Sequence, residues 1–122
     1  ITLDPWERIA LPTGLSLEIP DGHEIQVRPR SGLSLRSGLC LPNSPGTIDS
    51  DYRGELKILV ANFSPTSMVV DHGMRIAQLV LAKVYRLQWD EKTALDQTLR
   101  GERGFGSTGM QAPPNMSETN LN

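Results

Sequence analysis

The first 87 residues alternate between apolar and polar positions in short runs. The segments 15–19 and 23–28 alternate strictly, which is the period of a half-buried strand. Residues 56–63 carry apolar residues on both faces and predict a strand in the middle of a sheet. Further short apolar runs at 39–41, 68–70 and 75–85 are separated by Pro, Gly, Asn and Asp. This spacing predicts an all-β fold, a jelly-roll-like β-barrel or sandwich.

Few segments of the chain have a pattern of residues typical of a helix. Residues 31–36 fit one or two turns between strands, with Ser31 as the N-cap. Residues 90–99 have helix-compatible composition without an apolar stripe, so a loop fits equally well. After Arg100 the glycine content rises, and residues 110–122 are nearly all polar. We therefore predict a domain over 1–99, a flexible arm over 100–109 and a disordered tail over 110–122.

Composition narrows the class of protein. With 122 residues there is room for one domain, and 12 basic against 14 acidic residues argue against a broad grip on nucleic acid or an anionic membrane. The single cysteine, Cys40, excludes an internal disulfide and a cysteine-based zinc site. No run approaches the roughly 18 apolar residues of a membrane span. We expect a cytoplasmic protein with no nucleic-acid or membrane partner.

Two polar segments carry candidate chemistry. In 28–33 a predicted strand runs into Arg30, Ser31 and Gly32, where free backbone N–H groups and a guanidinium attract anions, although a capped turn fits as well. In 43–54 Asp49 would serve as a general base toward water, with Asp51 bracing the hairpin. Asn43 offers the donor and acceptor that a uracil edge needs, but turn-forming roles for Asn and Asp stay open.

Two further segments are unusual for a plain barrel. Gln78 lies inside an apolar strand, where its amide needs a backbone or ligand partner. The arm places Phe105 among glycines, and an aromatic ring held this way would close over a flat ligand. The arm matches neither the Walker pattern nor a dinucleotide fingerprint, and a low-complexity tail remains the alternative.

Together and in this order, the four segments resemble the trimeric, all-β dUTP pyrophosphatase (dUTPase) family over about residues 11–109. The resemblance implies hydrolysis of dUTP to dUMP and pyrophosphate with Mg²⁺ as cofactor. It also implies a homotrimer that builds its sites between subunits, with the arm crossing to a neighbour.

The resemblance assigns roles to individual residues. Asp49 would orient and deprotonate the attacking water, Tyr52 would pack on the deoxyribose, and Phe105 would stack on uracil. Uracil would be read by the hairpin residues Asn43, Gly46, Thr47 and Ile48. The phosphates would be bound by Arg30, Ser31, Gly32 and Gln78, and on the arm by Arg100, Gly106, Ser107 and Thr108.

Two departures from the family pattern stand out. Arg103 occupies a position where the family usually has glycine, and the first family motif, whose aspartate holds Mg²⁺ through water, is expected upstream of Ile1. The resemblance thus places no metal ligand within these 122 residues.

Two alternative functions are compatible with the same fold. The deaminase family that acts on dCTP shares the fold but carries a glutamate ten residues beyond the position of Asp49, where this chain has Leu59, which cannot move a proton. A dUTPase-like module that senses nucleotide and acts through a partner, with weak or no catalysis, remains the alternative.

Overall fold

A computed structural model describes residues 1–109, and their regular structure is almost entirely β. The strands are β1 (Thr2–Leu3), β2 (Arg8–Pro12), β3 (His23–Pro29), β4 (Leu39–Cys40), β5 (Gly46–Ile48), β6 (Lys57–Asn62), β7 (Met68–Val69) and β8 (Ala77–Lys83). The one helix in this part of the chain, α1, is Ser31–Ser37. The predicted all-β class with one short helix is confirmed.

The strands form three small antiparallel sheets. Their orders are β2-β6-β4, β5-β3-β8 and β1-β7. β6 is central, as predicted, although Leu59 on its outer face is 42% exposed. The buried side chains of all three sheets meet in one core, formed by Leu3, Leu11, Val27, Leu39, Leu41, Leu56, Ile58, Val60 and Val70. The elements and this core lie within one compact unit, Ile1–Leu87.

A buried amide joins two loops of this unit. Asn62 has no exposed surface, and its Nδ2 donates to the carbonyl oxygens of Leu3, Asp4 and Thr66 at 3.1, 3.3 and 2.9 Å. Its Oδ1 accepts from the backbone N and the Oγ of Ser64. Every hydrogen-bonding group of the side chain is satisfied, so burial of this amide stabilises the fold.

Two local predictions are wrong. Residues 15–19 form no strand: Ile19 is buried and Leu15 is exposed, but the segment has no paired neighbour. The carbonyl of Leu15 accepts from Leu56 N, and its N–H donates to Thr13 Oγ1. The alternating pattern here therefore reflects partial burial of the side chains and does not correspond to strand pairing. The N-cap of α1 is Arg30, since the carbonyl of Arg30 accepts from the N–H groups of Leu33 and Ser34; Ser31 is the first helical residue.

Residues from Gln88 onward belong to a second unit, whose described part contains turns and no helix. The loop interpretation of 90–99 therefore holds. No helix within residues 1–109 is long and apolar enough to span a bilayer. The disorder predicted for 110–122 falls outside the described residues, and the boundary at 99/100 stays a prediction.

Candidate active site

The candidate residues of the first unit gather at the two ends of β3. Ile48 of β5 pairs with Ile25, so Asp49, the next residue, comes beside the beginning of β3. At the other end Gln78 of β8 pairs with Arg28, and Arg30 follows directly after the strand. Strand pairing thus sorts the predicted residues into two groups.

An open cleft of about 630 Å³ lies at the first end of β3. Asp49 and Asp51 line it, together with three residues that the sequence did not single out for the site: Asp21, His23 and Arg86. His23 Nδ1 lies 3.0 Å from the carbonyl oxygen of Asp21. A carbonyl only accepts, so Nδ1 carries the proton and Nε2 is left for another partner. The Asp49 carboxylate is exposed and open to water.

The segment 43–54, predicted as a hairpin and for that reason called the hairpin, is not a paired hairpin, because β5 pairs with β3 and with neither β4 nor β6. The turn of this segment that carries Asp49 is held by its own contacts. The N–H of Tyr52 donates to the carbonyl of Asp49 at 3.2 Å, and Tyr52 Oη donates to the carbonyl of Glu55 at 3.0 Å. Arg53 Nη1 donates to the carbonyl of Ser50 at 2.7 Å. The predicted base and the predicted sugar contact therefore share one braced turn.

The predicted uracil-reading residues precede this turn. Gly46, Thr47 and Ile48 make up β5, and Asn43 lies in the loop before it. A Cβ on Gly46 would lie 3.1 Å from Asn43 Nδ2 and 3.3 Å from Val27 Cβ. A side chain here would be tightly packed, because the amide of Asn43 and the core residue Val27 approach the backbone closely.

A second cleft, of about 410 Å³, lies at the other end of β3 and brings together all four phosphate-binding candidates of this unit. Arg30 Nη1 donates to the carbonyl of Arg75 at 3.2 Å, and Gln78 Nε2 donates to the carbonyl of Pro29 at 3.0 Å. Gln78 is exposed, so its amide is anchored to backbone at the rim of the cleft. The full lining is Arg30, Ser31, Gly32, Leu33, Arg36, Arg75 and Gln78.

Three guanidinium groups and no carboxylate line this cleft, which therefore suits an anion. Arg36 was missed in the sequence, although its spacing of four from Gly32 puts both on one face of a helix. Arg75 also lines this cleft, and its carbonyl accepts the hydrogen bond from Arg30. Because α1 is only seven residues long, the positive charge here comes from side chains.

The arm candidates belong to the second unit. Arg100 Nε donates to the carbonyl of Arg103 at 2.8 Å, and Arg103 Nε donates to the carbonyl of Arg100 at 3.0 Å. Arg103 also donates to the carbonyl of Leu99. Phe105 is fully exposed, as are the neighbouring candidates Gly106, Ser107 and Thr108. The arginine that replaces the usual glycine thus braces a turn of the arm.

The two clefts of the first unit share no residue and are far apart. Asp49 comes beside Glu24 at the beginning of β3, and Arg30 follows Glu24 by six residues. At the usual rise per strand residue this is about 20 Å of backbone. The backbone positions of the two groups in one chain are therefore farther apart than the length of a triphosphate.

Magnesium needs several oxygen ligands, commonly one or two carboxylates with water and substrate phosphates. Within residues 1–109 no three His, Cys, Asp or Glu side chains come together as a metal site. These residues do not by themselves fit the implied Mg²⁺.

Comparison with known proteins identifies the family of this chain. The family model described as dUTPase matches residues 1–109. The deoxyuridine 5'-triphosphate nucleotidohydrolase of Rhizobium etli is 54% identical over 110 residues, covering 90% of this chain and 70% of the relative. The chain therefore belongs to the dUTPase family.

Solved structures share the fold. The dUTPase of Staphylococcus bacteriophage 80alpha with dUPNHPP has a TM-score of 0.80 and 26% identity, covering 89% of this chain and 80% of that one. A mutant dUTPase of phage phi11 of S. aureus, described for its coordination of a structural Mg(II) ion, has a TM-score of 0.71 and 20% identity, covering 80% and 79%.

Proposed function

We propose that this chain hydrolyses dUTP to dUMP and pyrophosphate, with Asp49 as the general base. The observation that carries the proposal is the exposed Asp49 carboxylate, hydrogen-bonded through its backbone to Tyr52, in the hairpin of a dUTPase-family chain. An accessible carboxylate is able to take a proton from water within hydrogen-bond reach.

The hairpin would select the nucleoside. Asn43 and the backbone of Gly46, Thr47 and Ile48 would read the uracil edge, since an amide and a free strand edge supply donors and acceptors together. The ring of Tyr52 would pack on the deoxyribose and leave no room for a ribose 2′-hydroxyl. Contacts within the hairpin support this role because they hold the reading groups before substrate arrives.

The cleft at the other end of β3 would hold the triphosphate. Arg30, Ser31, Gly32 and Gln78 would bind the phosphates, and Arg36 and Arg75 add charge to the same cleft. From the arm, Phe105 would stack on uracil while Arg100, Gly106, Ser107 and Thr108 contact the terminal phosphate. Closure of such an arm would exclude bulk water from the reaction.

In the chemical step, Asp49 takes a proton from water as the water oxygen bonds to the α-phosphorus. The bond from that phosphorus to the bridging oxygen breaks, and pyrophosphate leaves with both bonding electrons. Such transfers depend on positioning and charge neutralisation, which the arginines would supply. Mg²⁺ is the cofactor that the family implies.

We further propose a homotrimer whose sites are completed between copies. The separation of about 20 Å between the two ends of β3 supports it, because Asp49 of one copy would then work with Arg30 of another. Light scattering on the complete protein should give three times the subunit mass. A catalytically active monomer would contradict shared sites.

A regulatory role is the second candidate. The bacteriophage 80alpha dUTPase is described as controlling transfer of virulence genes by a G protein-like mechanism. A sensor of this kind would need nucleotide binding and arm closure, but little turnover. Cytoplasmic location stays a prediction under either function.

Pyrophosphate release separates the two candidates. We expect wild type with Mg²⁺ to release pyrophosphate from dUTP in strong preference to dCTP, dTTP and UTP. Asp49→Asn should bind dUTP and release almost none. An inert wild type that still binds dUTP would favour the sensor, and a fully active Asp49→Asn would remove Asp49 from the mechanism.

A further inference from the structure

Gly54 lies directly beneath the ring of Tyr52. A Cβ built on Gly54 would lie 2.6 Å from Tyr52 Cζ and 3.0 Å from Cε2, and it would also clash with Oη. Real Cβ atoms essentially never come within 3.0 Å of another side chain, so any residue other than glycine displaces the ring. The φ angle of Gly54 is not in the left-handed region. The absence of a side chain at Gly54 therefore matters here for the space it leaves to the Tyr52 ring and not for backbone conformation.

Hydrogen bonds hold the turn around this ring, and the hydroxyl of the ring makes one of them. Tyr52 Oη donates to the carbonyl of Glu55 at 3.0 Å, and Arg53 Nη1 donates to the carbonyls of Ser50 and Tyr52. Tyr52 is 45% exposed, so few packed neighbours hold its ring in place. The missing side chain at Gly54 is what lets the ring lie back on the turn.

We propose that Gly54 is a positioning residue that sets sugar specificity by holding the Tyr52 ring against the turn. The inference rests on the proposed function, in which Tyr52 packs on the deoxyribose. A methyl group at position 54 lifts the ring from the turn, which disturbs its packing on the sugar. The space that a ribose 2′-hydroxyl would need is then no longer closed off.

This mechanism predicts a loss of discrimination more than a loss of turnover. Shape-based rejection of one added hydroxyl is worth on the order of 100-fold, and we expect Gly54→Ala to reduce the ratio of kcat/KM for dUTP over UTP by about tenfold. The ratio of dUTP over dCTP should stay within about twofold, because the base-reading groups lie on β5 and in the loop before it. A general weakening of the site would lower kcat/KM for all nucleotides by the same factor and leave both ratios unchanged. That result would overturn the proposal.

A double-mutant cycle tests whether Gly54 acts through the ring. Tyr52→Ala should itself lower the ratio of dUTP over UTP, and adding Gly54→Ala should change that ratio no further. Tyr52→Phe is the matched control, since it removes the Glu55 hydrogen bond and keeps the ring. It should retain most of the discrimination. A further loss on the Tyr52→Ala background, or a loss in Tyr52→Phe as large as in Gly54→Ala, would overturn the proposal.

The ring position is measurable without any turnover. The chain has two tyrosines, Tyr52 and Tyr85, so ring-labelled tyrosine gives two sets of NMR signals that Tyr85→Phe assigns. In the nucleotide-free protein Gly54→Ala should shift the Tyr52 signals and leave those of Tyr85 in place. Unmoved Tyr52 signals would refute the inference about Gly54. Moved signals in a protein that does not hydrolyse dUTP would refute the proposed function alone.

Discussion

The two ends of β3 hold their functional groups in different ways. At the beginning of the strand, the hairpin with Asp49 and Tyr52 is braced by hydrogen bonds to its own backbone. At its end, Arg30, Arg36 and Arg75 surround an open cleft with long cationic side chains. The first end is therefore held by local hydrogen bonds, and the second concentrates positive charge in an open cleft.

Because of this difference, we expect substitutions at the two ends of β3 to change different kinetic parameters. Changes in the hairpin should act on kcat and on the choice of nucleotide, since they move groups that meet the reacting atoms and the sugar. Changes in the arginine cleft should act mainly on KM and on its dependence on salt, since they remove charge. The predictions below test this division in order of decreasing effect.

The largest effect is expected at Asp49. Asp49→Asn removes the proton acceptor and keeps the size of the side chain, so kcat should fall by about 10³-fold. Asp51→Asn is the matched control in the same cleft, and we expect a fall of less than about tenfold because Asp51 is predicted to support the turn and not to act as the base. Pyrophosphate release under saturating dUTP measures both. Equal losses in the two variants would contradict the assignment of the base.

Asn62 lies at neither end of β3, so its substitution tests the stability of the fold separately from the activity of the site. Asn62→Ala leaves three carbonyls and a backbone N–H without their side-chain partner, and we expect a loss of about 3 kcal/mol in the free energy of unfolding. Denaturant unfolding measures it. At a temperature where the variant remains folded, kcat/KM for dUTP should stay within about twofold of wild type. A large fall in kcat/KM at that temperature would contradict the interpretation that Asn62 serves the fold and not the site.

Arg30 tests the charged end. Arg30→Ala should raise KM for dUTP by about 10- to 100-fold, the cost of one charge-assisted contact, with little change in kcat. Arg36→Ala, in the same cleft, should raise KM only a few-fold. Both effects should shrink as salt is added. A fall in kcat without a rise in KM would mean that Arg30 also acts by positioning groups in the site and not only through its charge.

The smallest effect is expected on the arm. Arg103→Gly restores the usual family residue and removes hydrogen bonds to the carbonyls of Leu99 and Arg100 in an exposed turn. Such bonds contribute little at a surface, so KM for dUTP should rise by about twofold or less. Steady-state kinetics beside wild type measures the change. A rise of more than about tenfold would mean that the braced turn is part of substrate binding.

Much of the fold could be predicted because its signals are local. Turn residues mark most strand ends, and the run of apolar residues in β6 predicted its central place. The failure at 15–19 is instructive, because alternation records which side chains are buried and says nothing about whether a partner strand exists. The network around Asn62 depends on residues nearly 60 positions away and leaves no local signal.

The candidate site could be predicted residue by residue, but not its layout. The family motifs named Asp49, Tyr52, Arg30 and Gln78 from their order in the chain. Their division between two ends of one strand follows from the pairing of β3 with β5 and β8, which is set by tertiary structure. The space beneath the Tyr52 ring likewise becomes visible only once side chains are placed.

The central claim is that Asp49 of one copy works with Arg30 of another. Its most direct test is activity in mixed trimers, co-expressed from Asp49→Asn and Arg30→Ala chains with different tags and purified through both tags. In every such trimer one site of three pairs an intact Asp49 with an intact Arg30, so kcat/KM for dUTP should recover to about one third of wild type. Recovery no greater than in the two parent variants would place both groups in a site within one chain and contradict the account.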